Sequence, residues 1–170
     1  MKYKEGDVVN FSWNGNLYQK VIRLYNRIKY GSDYIWTHTG IIGEINSSIM
    51  IFEALDDGFA PFEYDEWWLD AKVKEGVIEV LRPKNVYNIE QLRKYIGRPY
   101  AWFDIVRIFV AIFGIKLKGS AKRLICSEAV ARGLYDISNK KINLAKEYDK
   151  PYDLITPMDI HLSKQLERFI

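Results

Sequence analysis

Two β-rich runs, residues 35–43 and 48–55, lie back to back in the first third of the chain, separated by Gly43-Glu44-Ile45-Asn46-Ser47. Both are dense in Ile and other strand formers, and the polar break between them predicts an antiparallel hairpin. One charge sits inside this apolar pair: Glu53, within Ile49-Met50-Ile51-Phe52-Glu53-Ala54-Leu55. On either strand face its carboxylate meets apolar neighbours, and a buried carboxylate is costly unless paired. The adjacent run carries His38, and facing residues of a hairpin lie about 5 Å apart. A loop centred on residue 45 or 46 places His38 and Glu53 directly opposite each other.

The remaining elements follow from periodicity. Residues 8–13 read as a short strand. Leu17, Val21, Leu24, Tyr25 and Ile28 recur at helical spacing, so residues 17–28 read as an amphipathic helix, although Asn14-Gly15 before it could instead close a hairpin. Residues 64–73 read as a short helix or irregular segment, and residues 77–81 as a strand stopped by Pro83. Asn88 caps a helix over residues 88–96 that Gly97 ends. Pro99 starts another to about Phe113, stopping at Gly114. Residues 116–123 form a loop, residues 125–135 a helix, and Thr156-Pro157 a cap for a short helix over 158–162. Residues 165–170 read as an edge strand. No repeat or linker divides the 170 residues. The order predicts a single α+β domain, an antiparallel sheet packed against helices, rather than alternating βαβ units.

Composition narrows the function. Hydrophobic residues make up 48 % and charged residues 28 %, which suits a globular protein rather than a disordered one. Aromatics reach 15 %, and such side chains line clefts as well as cores. A net charge of +3 without a compact Lys/Arg stripe argues against nucleic acid. The densest basic stretch, Lys116, Lys118, Lys122 and Arg123, reads as a solvated loop, with weak membrane-surface contact as the lesser alternative. Residues 102–115 contain Asp104 and Arg107 and fall short of the ~20 residues a membrane span needs, so they read as a core helix. One cysteine permits no internal disulfide, and the opening residues show no signal-peptide pattern; both point to a cytoplasmic setting.

One Cys and two His leave few pairings for chemistry. A lone cysteine is usually a small buried hydrophobe. Cys126, however, falls near the start of its predicted helix, where backbone N–H groups and the helix dipole favour a thiolate, with Lys122 and Arg123 just upstream. Cys126, Val130, Gly133 and Leu134 share the inward stripe, with Ser127, Glu128 and Arg132 facing elsewhere. His38 shares a strand face with Trp36, Gly40 and Ile42, and Gly40 leaves room beside the ring. His161 reads as a surface residue without a role. Two histidines and one cysteine make a metal site a poor fit, and nothing in the sequence calls for a cofactor.

Taken in order, several segments resemble the YiiX-like branch of the NlpC superfamily, circularly permuted papain-like hydrolases related to the lecithin–retinol acyltransferase group. Trp36-Thr37-His38-Thr39-Gly40-Ile41-Ile42 is similar to that branch's His-x-Gly-Ile strand, and Ile51-Phe52-Glu53-Ala54 to the next, which carries an acidic residue before Ala. Gly97-Arg98-Pro99-Tyr100-Ala101-Trp102 resembles its Gly-x-Pro-Tyr-Asp segment, and Leu124-Ile125-Cys126-Ser127-Glu128-Ala129-Val130 its Cys-Ser-Glu-Leu-Val helix. Tyr152 to Ile160 resembles its C-terminal Thr-Pro segment. The match covers nearly the whole chain. It departs at Ala101 (commonly Asp), Thr39 (commonly Val) and Ala129 (commonly Leu). The resemblance implies Cys126 as nucleophile, His38 as base, Glu53 as the group orienting the ring, and Tyr100 near the oxyanion. It implies a thiol hydrolase acting on a small peptide or other acyl–amine bond through a thioester. The apolar residues 103–115 and the Trp67-Trp68 pair motivate a second reading, a lipid acyltransferase or thioesterase. A third is a non-catalytic ligand-binding module on the same fold. Substrate and oligomeric state are not readable from the residues.

Overall fold

The computed structural model describes residues 2–13, 15, 17–31, 35–101, 105–107, 110 and 122–169. Six strands form one antiparallel sheet: β1 (Val8–Phe11), β2 (His38–Ile45), β3 (Ser48–Leu55), β4 (Gly58–Glu63), β5 (Ile78–Pro83) and β6 (Leu166–Arg168), in the order β4-β3-β2-β1-β5-β6. Helices among the described residues include α1 (Leu17–Tyr30), α2 (Glu66–Lys74), α3 (Cys126–Ile137), α4 (Leu144–Glu147) and α5 (Pro157–His161). Residues Ile89–Tyr95 form a 3₁₀ helix, not an α-helix, with Asn88 capping it by accepting from Glu90 N–H.

Both faces of the sheet are covered, because successive side chains of a strand point to opposite sides. Val8, Ile41, Phe52 and Leu81 join Ala129, Val130 and Leu134 of α3 in one apolar cluster. Val9, Phe11, Ile42, Ile51 and Val80 join Tyr3 and Leu69 of α2 in the other. This double burial explains the unbroken apolar runs of β2 and β3. A third, smaller cluster of Tyr25, Ala101, Ile105 and Ile125, flanked by Val21 and Ile22, seats α1 beside the start of α3.

The hairpin register differs from the sequence expectation. Pairing runs on to Ile45↔Ser48, so Asn46 and Ser47 alone form the turn, with φ of 52° and 65°. Two central residues of positive φ match the twist of the flanking strands, and Asn tolerates that conformation. The longer ladder pairs Glu53 with Gly40, not with His38. His38 lies two residues further along the same face, the diagonal position, which long side chains still span.

Other expectations also shift. β4 is missing from the sequence reading because Pro61 interrupts it; as the sheet edge, β4 tolerates a residue with no N–H to donate. Three of the five residues of the predicted apolar face of α1 are outward: Leu17, Leu24 and Ile28 are exposed, while Tyr25 and, beside it, Asn26 are buried. Asn26 turns inward because its Nδ2 donates to the Trp36 carbonyl at 2.8 Å. Residues 99–101 are not helical. Tyr100 instead bridges to Leu124, with Ala101 N–H donating to the Leu124 carbonyl at 3.0 Å and Leu124 N–H to the Pro99 carbonyl at 3.1 Å. Most of the helix predicted to Phe113, and most of the basic loop after it, lies outside the described residues. No helix among the described residues is long and apolar enough to cross a membrane.

Gly40 makes the hairpin's close packing possible. A Cβ there would stand 2.4 Å from Ile51 Cγ2 and 3.2 Å from Glu53 Cβ. Gly→Ala at an unstrained, open position usually stabilises. Here overpacking reverses the sign, and Gly40→Ala is expected to lower stability by about 1–3 kcal/mol in urea unfolding.

Candidate active site

The site forms where the start of β2 meets the start of α3. Glu53, on β3, is fully buried, and both of its oxygens are engaged. Its Oε2 lies 2.6 Å from His38 Nε2, and its Oε1 accepts from the Tyr64 hydroxyl at 2.9 Å. The cost of burying this carboxylate is thus offset by two hydrogen bonds, one to a titratable ring. Burial and the Glu53 charge push the Tyr64 hydroxyl's pKa well above its ordinary value, so it stays a donor. Tyr64 has no signature in the sequence. It reaches Glu53 because β4 runs beside β3 and delivers the chain just beyond its end.

His38 is 5 % exposed. Trp13 stacks on its ring, centroids 4.8 Å apart and planes 10° from parallel, and Phe11 lies 5.5 Å away, tilted. Neither aromatic was singled out in the sequence; a residue just after a short strand carries no sign of what it will cover. Glu53 occupies Nε2, which leaves Nδ1 as the nitrogen for a second partner.

That partner is Cys126, the first residue of α3. It is 2 % exposed and lies within charge and hydrogen-bond range of the His38 ring. Ile125 precedes it with extended backbone and no side-chain oxygen to cap the helix, so the N-terminal amides remain directed at the sulfur's surroundings. Burial by itself lowers the imidazole pKa. The charge on Cys126 and the hydrogen bond to it, followed by Glu53, more than reverse this and push it up to about 10. The pocket therefore favours a protonated ring.

Tyr100, partly buried, is held near Cys126 by its bridge to Leu124. It and Ile22 line both halves of a cleft around the site. One half is a narrow slot formed by Val21, Tyr25, Ile105, Ile125, Cys126, Ser127 and Thr156, among others. The other, ≈ 330 Å³, is a wider hollow bordered by His38, Trp13, Thr37, Asp56 and Asp57. Cys126, though buried, lines the slot.

No protein-family model and no curated protein matches the chain. Among solved structures, it is similar to the crystal structure of the metalloprotein yiiX from Escherichia coli O157:H7 (DUF1105), with a TM-score of 0.63, 18 % identity, and coverage of 100 % of this chain and 98 % of that one. The chain has a YiiX-like fold. The α+β class and the antiparallel sheet packed against helices follow from it. That neighbour is described as a metalloprotein. Here, among the described residues, no group of three or more His, Cys, Asp or Glu side chains is arranged to hold a metal ion. The donors among the described residues do not fit a resident metal.

Three sequence expectations need correction. His38 and Glu53 are diagonal rather than opposite neighbours, as the register requires. Ser127 and Glu128, off the Cys126 stripe, nevertheless do not reach solvent. Both are buried, Ser127 Oγ donating to the Ile155 carbonyl at 2.7 Å and Glu128 accepting from Arg132 Nε at 2.8 Å, because α5 and the segment before it close over that side of α3. His161 is not a free surface residue. Its Nδ1 lies 2.7 Å from Glu79 Oε1 and 3.0 Å from Trp36 Nε1, and Arg168 reaches its Nε2 at 2.9 Å. Glu79 in turn accepts from Asn10 at 2.8 Å. The capping box of Thr156 and Asp159 fixes α5 so that His161 turns toward β5.

Two outcomes follow. The folded pKa of His38 lies above the ~6.5 of a free imidazole. Its protonation therefore adds stability that is fully present below about pH 6.5 and is lost as pH rises towards about 10. Ring titration by NMR is expected to show this high value in the wild type and a lower one in Cys126→Ala. Separately, His161→Ala is expected to cost about 1–3 kcal/mol in urea unfolding, from the under-satisfied Glu79 carboxylate, without changing the reactivity of Cys126.

Proposed function

We propose that this chain is a cysteine-dependent hydrolase of the permuted papain-like kind, an amidase or peptidase working through Cys126, His38 and Glu53. The observation that supports it most is the placing of one buried imidazole between a carboxylate on Nε2 and the only cysteine of the chain. A purely structural histidine would need neither a thiol at its second nitrogen nor that thiol at the start of a helix beside a cleft.

The chemistry runs as follows. Cys126 passes its proton to His38 Nδ1, and Glu53 holds the ring by Nε2, fixing its tautomer and orientation. The thiolate attacks the carbonyl carbon, and the oxyanion accepts from the Cys126 backbone N–H and the Tyr100 hydroxyl. The tetrahedral species collapses by breaking the carbon–nitrogen bond; the amine leaves with the proton from His38. A thioester remains on Sγ. Water then gives a proton to His38 and attacks the thioester. The acid departs, and Sγ takes back the proton. Trp13 and Phe11 keep bulk water from the ring, so the charge pair works in a medium of low polarity.

The test is thiol chemistry followed by turnover. Cys126 is expected to alkylate with iodoacetamide well below pH 8.5, the approximate pKa of a free cysteine, and His38→Ala to remove that advantage. Against peptide and acyl–amine libraries, Cys126→Ala is expected to abolish product, and His38→Ala to reduce its rate by roughly 10²–10⁴-fold. A thiol no more reactive than free cysteine, with no Cys126-dependent product, would refute the hydrolase reading in favour of a binding module.

A further inference from the structure

The outer side of α1 departs from the usual amphipathic helix, which buries its apolar stripe. Leu17, Leu24 and Ile28 recur at helical spacing, within about 40° of one another around the axis, and form one ridge about 16 Å long. All three stand in solvent, Leu17 at 70 %, Leu24 at 48 % and Ile28 at 52 % exposure. Single exposed leucines are ordinary, but three large aliphatic side chains in line on one helix form a patch. The inward side of α1 explains the orientation. Tyr25 is buried in a cluster with Ala101, Ile105 and Ile125, and Asn26 by its bond to the Trp36 carbonyl. Those contacts fix how the helix docks, and the ridge is left facing out.

The charge along this face has one sign. Residues 8–32 contain no Asp or Glu, whereas α1 carries Lys20, Arg23, Arg27 and Lys29. Two of these cations are held by the protein: Arg23 donates to the Ser12 hydroxyl at 2.9 Å and Lys29 to the Tyr25 hydroxyl at 2.9 Å. Lys20 and Arg27 are exposed along one flank of the ridge and pair with no carboxylate among the described residues.

A second copy of this chain fits the ridge poorly. Stable protein interfaces bury about 800 Å² per partner, more than one line of three side chains supplies. Pairing two α1 helices would also bring like charges together. The pattern suits a surface that is negative at its border, apolar just beneath, and without a fixed shape to match. A bilayer with anionic headgroups has that layering: phosphates meet Lys20 and Arg27, and the three aliphatic side chains reach the acyl boundary.

We infer that the outer face of α1 docks this protein onto an anionic membrane surface, with the helix lying in the interfacial plane. The inference stands apart from the hydrolase reading, because no catalytic group takes part in it.

The experiment sediments the full chain with vesicles of phosphatidylcholine alone and of phosphatidylcholine mixed with phosphatidylglycerol. Binding is expected to the mixed vesicles only, and to weaken as salt is raised. Lys20→Glu is expected to weaken it at least about fivefold, the contribution of one cation near an anionic surface. Lys140→Glu makes the same change in net charge on an exposed residue just past the far end of α3, whose other end is the one packed beside α1. It is expected to leave binding unchanged. Leu24→Gln with Ile28→Gln is expected to weaken binding at least about tenfold while leaving the unfolding temperature in place, as for exposed side chains. No binding to the mixed vesicles, equal binding to both kinds, or equal loss from Lys20→Glu and Lys140→Glu overturns the inference. Ridge-dependent binding of polyglutamate but not of the mixed vesicles overturns it in favour of an acidic protein partner. A dimer in sedimentation equilibrium that the Leu24→Gln, Ile28→Gln variant dissociates overturns it in favour of a second copy.

Discussion

A desolvated imidazole sits at the junction of sheet and helix, and the site depends on how its charge is supported. Burial would make His38 a poor base and a neutral ring. Glu53 on one nitrogen and Cys126 on the side of the other reverse that preference. Each support comes from a different layer of the fold: the carboxylate from β3, the sulfur from the first residue of α3, and the aromatic cover from β1 and the residues after it. Removing one partner leaves the others as uncompensated buried charge, which costs about 3–5 kcal/mol in comparable pairs. The same burial that makes the arrangement costly makes its electrostatics strong.

The two histidines of this chain are instructive together. Each pairs with a buried or nearly buried glutamate. At His161 the second nitrogen is met by Arg168, and Trp36 packs nearby, so both edges of the ring are committed to protein groups that do no chemistry. At His38 the other influence on the ring is a cysteine that lines a cleft. A histidine–carboxylate pair by itself therefore says little. What distinguishes the sites is the group at the other end of the ring and its access to solvent.

Gly40 and the hairpin turn show how small backbone facts set this geometry. The two-residue turn at Asn46-Ser47 puts Gly40, not His38, across from Glu53. Without a Cβ at position 40, the carboxylate can cross that space diagonally to the ring. The cleft shows a similar economy. The polar side-chain atoms of Ser127, Thr156 and Tyr25, which line the slot, are all engaged by the surrounding framework.

Much of this was legible in the residues. The hairpin, the α+β class, the helix that begins at Cys126, the capped α5 and the edge strand at the C-terminus all follow from short-range rules of periodicity, capping and turn chemistry. So does the need of Glu53 for a partner, since a charge in an apolar strand must be answered wherever the strand goes. Contacts between distant segments were not legible: Trp13 over His38, Tyr64 on Glu53, His161 turned to Glu79, and the outward stripe of Leu17, Leu24 and Ile28 on α1. Local sequence determines which conformation a segment prefers and which groups cannot be left alone in the core. Which group from elsewhere answers them depends on strand order, register and the docking of helices. Those are set by the packing of the whole chain, and no window of neighbouring residues encodes them.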